Sequence, residues 1–211
     1  MVLQQIVINM KLHNLVILLP KQLNNDLYLN LKYNLKRKVE KKCISAGYIY
    51  KVLSIEDYSN GYMIPEDLNG NIIFKIIYIA SVCNPIVGNQ MICKIDKFIK
   101  NVILCKNGAV TIIITTNNIN VSLFKINNQG ALIYTVTDTK LTTNNYLKIT
   151  IKSKRSYTGD NVIGIIGFID DIATNDEINE YMYVPDEHDN DISIEDNDEN
   201  IEITEDNFDI E

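Results

Sequence analysis

Apolar residues change their period several times along the chain, and each change marks an element. Positions 6–19 read as a strand, with Ile6, Ile8 and Leu12 leading into LVILL. Pro20 follows, suited to the first position of a helix. From Lys21 to about Lys42, Leu23, Leu27, Leu31, Leu35 and Val39 recur every four residues, which predicts one apolar stripe of an amphipathic helix. Gly47 ends that unit and YIYKVLSI reads as a strand. A loop with Pro65 and Asp67 closes at Gly70, and a long strand runs from Ile72 to Val82. Asn84-Pro85 breaks the pattern and sets a domain boundary.

Beyond Pro85 the text is short strands and turns. KNVILCK and AVTIIIT meet at Asn107-Gly108, a type I′ hairpin signal, and NNQG separates VSLFKI from ALIYTV as a second hairpin. YLKITIK alternates, with Leu147, Ile149 and Ile151 expected on one face and Lys148, Thr150 and Lys152 on the other. VIGIIGFID reads as a buried strand bent at its glycines. About five core strands at this spacing without a helical pattern predict a small closed barrel of the OB type. The expected fold is α+β and mostly β: residues 1–84 an α/β unit, 85–170 a barrel, 171–211 a tail.

Charge divides the chain more sharply than apolar pattern does. All 20 Lys and Arg lie at or before Arg155, and 18 of the 27 Asp and Glu lie from Asp170 onward. A net charge of −7 therefore conceals a basic body and an acidic tail, an asymmetry that points to a polyanionic partner for the body. Lys32, Lys36, Arg37, Lys38, Lys41 and Lys42 gather at the C-terminal end of the predicted helix, where the macrodipole favours cations. Cys43, Cys83, Cys93 and Cys105 sit in apolar segments with no CxxC pair, as expected of buried free thiols in a reducing compartment. The 36 Ile and 27 Asn report AT-rich coding rather than function.

No apolar run reaches the ~18 residues of a membrane span, and MVLQQIVINMK lacks the features of a secretory signal. Phosphate-cradling Gly loops, the GxSxG elbow and HExxH are missing from the text. DEHDND at 186–191 lacks the Gly and terminal Glu of a calcium loop. The sizeable carboxylate cluster lies in the tail, a poor setting for acid–base chemistry. These points argue against a self-contained enzyme, and no cofactor or metal is expected.

The ordered set Val39-Glu40, Gly47-Tyr48-Ile49, Gly61, Ile64, Asp67, Gly70, Phe74, Ile76, Tyr78, Ala80, Pro85 and Gly88 resembles the larger stalk subunit of multisubunit DNA-directed RNA polymerases. That family spans archaeal, eukaryotic polymerase II and large-DNA-virus versions, and the resemblance covers roughly residues 6–170. Pro65 stands one residue from its usual place and Leu68-Asn69 lengthens the loop. Asn89 replaces the usual Glu after Gly88, and Cys93 stands where a Gly is common. In the second barrel strand, Lys100-Asn101-Val102-Ile103 replaces Gly followed by an exposed aromatic or apolar residue, with Phe98 the nearest aromatic.

The resemblance implies a non-catalytic subunit with an RNP-like tip domain followed by an OB-fold barrel. Its tip loop, Gly61, Tyr62, Met63, Ile64, Pro65, Glu66, Asp67, Leu68, Asn69 and Gly70, would dock on the large polymerase subunits near the clamp. A smaller stalk subunit and nascent single-stranded RNA are the other implied partners, with no membrane. Candidate RNA contacts are Lys94, Phe98, Lys100, Lys106, Lys148, Lys152, Lys154, Arg155 and Tyr157. A viral version would work in a cytoplasmic viral factory and the virion, a cellular one in the nucleus. The tail would compete for the basic face or tether the chain to a basic patch elsewhere, its Ile192/Ile194 and Ile201/Ile203 pairs giving β-type grip. The alternative reading is a free-standing OB-fold RNA-binding protein such as a translation factor.

Overall fold

The computed structural model describes residues 2–65, 68–99, 102–126 and 132–184. Strand β1 (Val7–Leu18) is followed by a 3-10 turn at Pro20–Gln22 and helix α1 (Leu27–Val39). Strands β2 (Lys42–Ile44), β3 (Gly47–Tyr58), β4 (Tyr62–Met63) and β5 (Ile72–Cys83) complete an antiparallel sheet of order β1-β5-β3-β2, with β4 pairing the start of β5. The helix begins later than its leucine spacing predicts. The Asn24 side chain accepts from the Asp26 N–H at 2.9 Å, and Asn30 reaches back to the Gln22 carbonyl at 2.8 Å. Such local side-chain bonds favour a turn over a helical start. Leu23 is accordingly 41% exposed, whereas Leu31, Leu35 and Val39 are buried against Val16, Leu18, Ile49, Phe74 and Tyr78.

The second half contains β6 (Gln90–Ile99), β7 (Val102–Asn107), β8 (Val110–Thr115), β9 (Phe124–Ile126), β10 (Leu132–Tyr134), β11 (Thr139–Lys140), β12 (Tyr146–Arg155) and β13 (Ile163–Ile172). Five of them close into a barrel of order β12-β13-β8-β7-β6. Its pairs are antiparallel except β13 with β8, which run parallel. The predicted VSLFKI/ALIYTV hairpin does not enter the barrel. It forms a separate three-stranded sheet with β11, and its Phe124 and Leu132 pack into the barrel's core. At β7–β8, Asn107 pairs with Val110, so the two-residue turn is Gly108-Ala109, one position later than the Asn-Gly signal places it. Gly108 has φ +56, which suits a turn opening on Gly, and Asn107 is freed for another role.

The two halves share a core across the boundary at Asn84–Pro85. Ile6, Cys43, Tyr48 and Cys83 pack with the barrel residues Met91, Cys93, Ile149 and Ile163 rather than with α1. Backbone bonds also cross: Cys43 N–H to the Asp160 carbonyl at 2.7 Å, and Gly159 N–H to the Cys43 carbonyl at 2.9 Å. All four cysteines are buried and unpaired, as their apolar context predicts. Burial pushes the Cys83 thiol up to about 12 and the Cys43 and Cys93 thiols upward as well, so these are packing groups and not nucleophiles.

The chain after Asp171 is folded up to Val184, where composition suggests a solvated tail. Helix α2 (Asn175–Tyr181) starts on a capping box: Thr174 accepts from the Glu177 N–H, and Glu177 accepts from the Thr174 N–H at 3.0 Å. Past it, the buried Asn107 side chain donates to the carbonyls of Ile92 at 2.9 Å and Tyr181 at 3.2 Å and accepts from the Tyr183 N–H at 2.9 Å. The Tyr183 ring stacks on Tyr50 with centroids 4.0 Å apart, and the Tyr50 hydroxyl accepts from the Ala109 N–H at 2.7 Å. Residues 173–183 thus strap the barrel to β3. Asn107→Ala would strand a carbonyl pair and an N–H, so we expect a loss of ~2–3 kcal/mol in denaturant unfolding and faster proteolysis after Tyr181. An unchanged midpoint and cleavage pattern would contradict the strap.

Candidate docking loop and nucleic-acid face

The loop between β3 and β5 stands at the end of the sheet where β1 turns into α1: Ile72 pairs with Leu18, and a Cβ on Gly70 would lie 3.5 Å from Pro20. Its base is closed twice, by Ser59 N–H to the Lys75 carbonyl at 2.9 Å and by Lys75 N–H to the Ser59 hydroxyl at 3.0 Å. Gly61 is there because a side chain would not fit: a Cβ would come within 2.5 Å of Ile72 and 2.7 Å of the Phe74 ring. Gly70 sits at φ +66 and lets the chain turn back into β5. Between the two glycines, Tyr62, Met63, Ile64 and Leu68 are 43%, 60%, 44% and 98% exposed. A water-facing tip normally carries polar side chains, and this concentration of apolar surface makes the loop a candidate docking site. Pro65 and Asn69 are exposed beside them; Glu66 and Asp67 lie outside the described residues.

The RNA candidates do not form one face. Lys152, Lys154, Arg155 and Tyr157 are exposed together at the end of β12, entering the β12–β13 loop. There Lys152 lies 5.1 Å from the Phe168 ring centroid and Arg155 lies 4.9 Å from that of Tyr157. Lys154 Nζ donates to the Asn84 side chain at 2.9 Å. A second group stands across β6 and β7, where Lys94 pairs in register with Lys106 and Tyr146. Its charge is partly cancelled, because Lys106 pairs with Asp96 at 3.1 Å. Phe98 is half-buried against the barrel core, and Lys100 lies outside the described residues.

Lys148 departs from the expected pattern. Two bulges interrupt the β12–β13 pairing, between Lys148 and Ile149 and between Ile151 and Ser153, but Leu147, Ile149 and Ile151 still all face the core, so Lys148 and Thr150 keep the outer face and are covered there. Thr150 becomes buried and donates to Asp170 at 2.6 Å. Lys148 turns under α2 and pairs with Glu177. Burial raises the Glu177 pKa, but the Lys148 hydrogen bond, the Thr174 N–H and the lysine's charge together hold it below the usual glutamate value. The alternating text gave no sign of this, whereas the T-x-x-E box at 174–177 announced the helix that causes it.

The outer surface of β7, β8 and β13 carries an aliphatic row instead of aromatic platforms. Leu104 pairs in register with Ile113, and Ile113 with Ile166, and the two isoleucines are 40% and 45% exposed. Such a row can pack against sugar and base faces but offers none of the ring stacking that strengthens single-strand binding.

No protein-family model matches the chain. A search of characterised proteins finds a relative in Acanthamoeba polyphaga mimivirus, named as a candidate DNA-directed RNA polymerase subunit. The two are 30% identical over 178 residues, spanning 84% of this chain and 89% of the relative. The similarity takes in most of the chain, so the apolar tip and the barrel are compared within a single alignment, and the chain belongs to the family of DNA-directed RNA polymerase subunits that this viral protein represents.

Proposed function

We propose that the chain is the larger stalk subunit of its polymerase: a non-catalytic part that plugs its tip loop into the core near the clamp and carries an OB-type barrel towards nascent RNA. The observation that carries this reading is the apolar tip, with Met63 and Leu68 more than half exposed on a loop that glycines shape and hydrogen bonds close. The barrel supports it by its strand order, in which the third and fifth core strands in sequence (β8 and β13) pair in parallel and the first and fourth (β6 and β12) close the ring. A smaller stalk subunit would seat alongside, and as a viral enzyme's subunit the chain would act in the cytoplasmic factory and the virion.

RNA would be held by backbone contact more than by base stacking, through Lys152, Lys154, Arg155 and Tyr157, with Lys94 and Lys106 as a weaker second patch. Three or four neutralised phosphates predict a log–log salt slope of about −2 to −3 for single-stranded RNA. Affinity measured between 50 and 200 mM salt on the full chain checks this, and salt-insensitive binding, or none at low salt, contradicts it. Lys148→Ala should leave RNA affinity within about twofold, since that lysine is held by Glu177. The reading as a whole is tested by purifying the tagged chain from cells that make its polymerase. A stalk subunit comes away with the large subunits in equal amount; recovery alone or with ribosomes favours a free RNA-binding factor.

A further inference from the structure

β1 is the rim of the N-terminal sheet, and its outer edge has two unlike halves. From Asn14 to Leu18 the edge is closed by side chains. Asn34 donates to the Ile17 carbonyl at 3.0 Å, Lys38 Nζ donates to the Leu15 carbonyl at 2.7 Å, and the Asn14 side chain accepts from the Leu15 N–H at 2.8 Å. Over Ile8–His13, among the described residues, no group bonds to that outer edge. An uncovered edge of this length is a template for another strand, a hazard that folded proteins usually blunt. Its side chains are two-sided: Ile8, Met10 and Leu12 lie on the α1 side, and Asn9, Lys11 and His13 on the other.

The described chain ends close to this edge. Tyr183 is fixed by its stack on Tyr50 and its bond to Asn107. With Val184 it lines a cavity of about 410 Å³ that Gln5, Val7 and Asn9 also line. The described chain therefore ends beside the first residues of the open stretch. The barrel's Lys152–Tyr157 corner also approaches from this side, since Lys154 bonds Asn84, whose N–H donates to the Ile6 carbonyl. At ~3.3 Å per extended residue, residues 185–211 reach any part of Ile8–His13 several times over. Their sequence fits the edge as well. Ile192-Ser193-Ile194 and Ile201-Glu202-Ile203 alternate apolar and polar, and the segment has no Lys or Arg.

We propose that one of these two Ile-x-Ile segments adds to β1 along Ile8–His13, so that the chain's own C-terminal segment covers its sheet edge. In that register the isoleucines lie beside Ile8, Met10 and Leu12, and Ser193 or Glu202 lies beside Lys11 and His13. Lys11 already pairs with Glu56 at 2.5 Å, so the gain comes chiefly from the backbone ladder and the isoleucines. Acidic residues on both sides of each segment keep it soluble. The proposal rests on the fold alone and stands or falls independently of the stalk reading.

Amide hydrogen exchange on the full chain and on a chain ending at Val184 tests it. Truncation should speed exchange over Ile8–His13 at least tenfold while the amides of β5 and the barrel keep their rates. A synthetic 185–211 peptide added to the truncated chain should restore protection at the same residues. Should truncation disturb folding, the full-length double variants Ile192→Asp/Ile194→Asp and Ile201→Asp/Ile203→Asp are compared instead, and one of them should reproduce the loss. Unchanged exchange at Ile8–His13 in every variant overturns the proposal. So does protection that moves to the Lys152–Tyr157 corner, or that appears at Ile8–His13 only when other polymerase subunits are bound.

Discussion

Replacing residues 62–69 with glycine and serine is expected to leave the chain folded and to remove it from the polymerase. None of Tyr62, Met63, Ile64 or Leu68 belongs to either buried core, and β4 contributes only two residues of pairing to β5. The isolated chain should therefore melt within a few degrees of the parent. Docking is another matter. Fully burying a Leu or Met side chain is worth ~1.5–3 kcal/mol. Losing Leu68 and Met63 alone should then weaken assembly by at least about 100-fold, since 1.4 kcal/mol is tenfold. Reconstitution of polymerase lacking its own copy of this subunit, with the retained fraction read by gel filtration, measures the effect. Incorporation at the parental level would show that the exposed apolar tip is not what binds.

Gly47→Ala should do the opposite and damage the fold itself. Gly47 has φ +137, a conformation that side-chain-bearing residues rarely adopt. A Cβ there would overlap the Cys83 carbonyl oxygen and come within 3.1 Å of Val82 Cγ1. Both neighbours belong to the last turn of pairing before the barrel, where Tyr48 faces Cys83 and the two halves merge their cores. Backbone strain of this kind costs ~1–3 kcal/mol before any displacement of β5 is counted. We expect a total near 3 kcal/mol and a melting point lower by about 6–12 °C, given roughly 2–4 °C per kcal/mol for a chain of this size. A loss below about 1 kcal/mol would mean that β5 gives way easily and that the junction is not rigid.

The sequence was most legible where one residue type had one physical use. Leu31, Leu35 and Val39 could only be a buried helical stripe, and the runs from Ile72 and Ile163 could only be strands, each with one face in a core. Gly61 and Gly70 bracketed the tip loop correctly because tight turns need them. Asn107 was misread for a related reason: Asn before Gly is a strong turn signal, yet here the turn falls on Gly108-Ala109 and Asn107 is a buried bracket for the C-terminal strap. Local propensity could not show that, since its partners are up to 76 residues away. Lys148 was assigned to a solvent face because alternation places it on the outer side of β12, which it does occupy, but α2 lies over that side and Glu177 takes the lysine. The strap was hidden by composition, because Asp176, Glu177 and Glu180 blended into the acidic text around them. The Thr174-x-x-Glu177 box was the available clue.

The most direct test of the stalk assignment places a photo-activated cross-linker at Met63 or Leu68 in the assembled polymerase, with Tyr157 on the barrel as the comparison position. The account predicts efficient cross-links from 63 and 68 to the largest subunits, and from 157 to nascent RNA during transcription. A polymerase that retains the chain but gives no core cross-link from either tip position would contradict it.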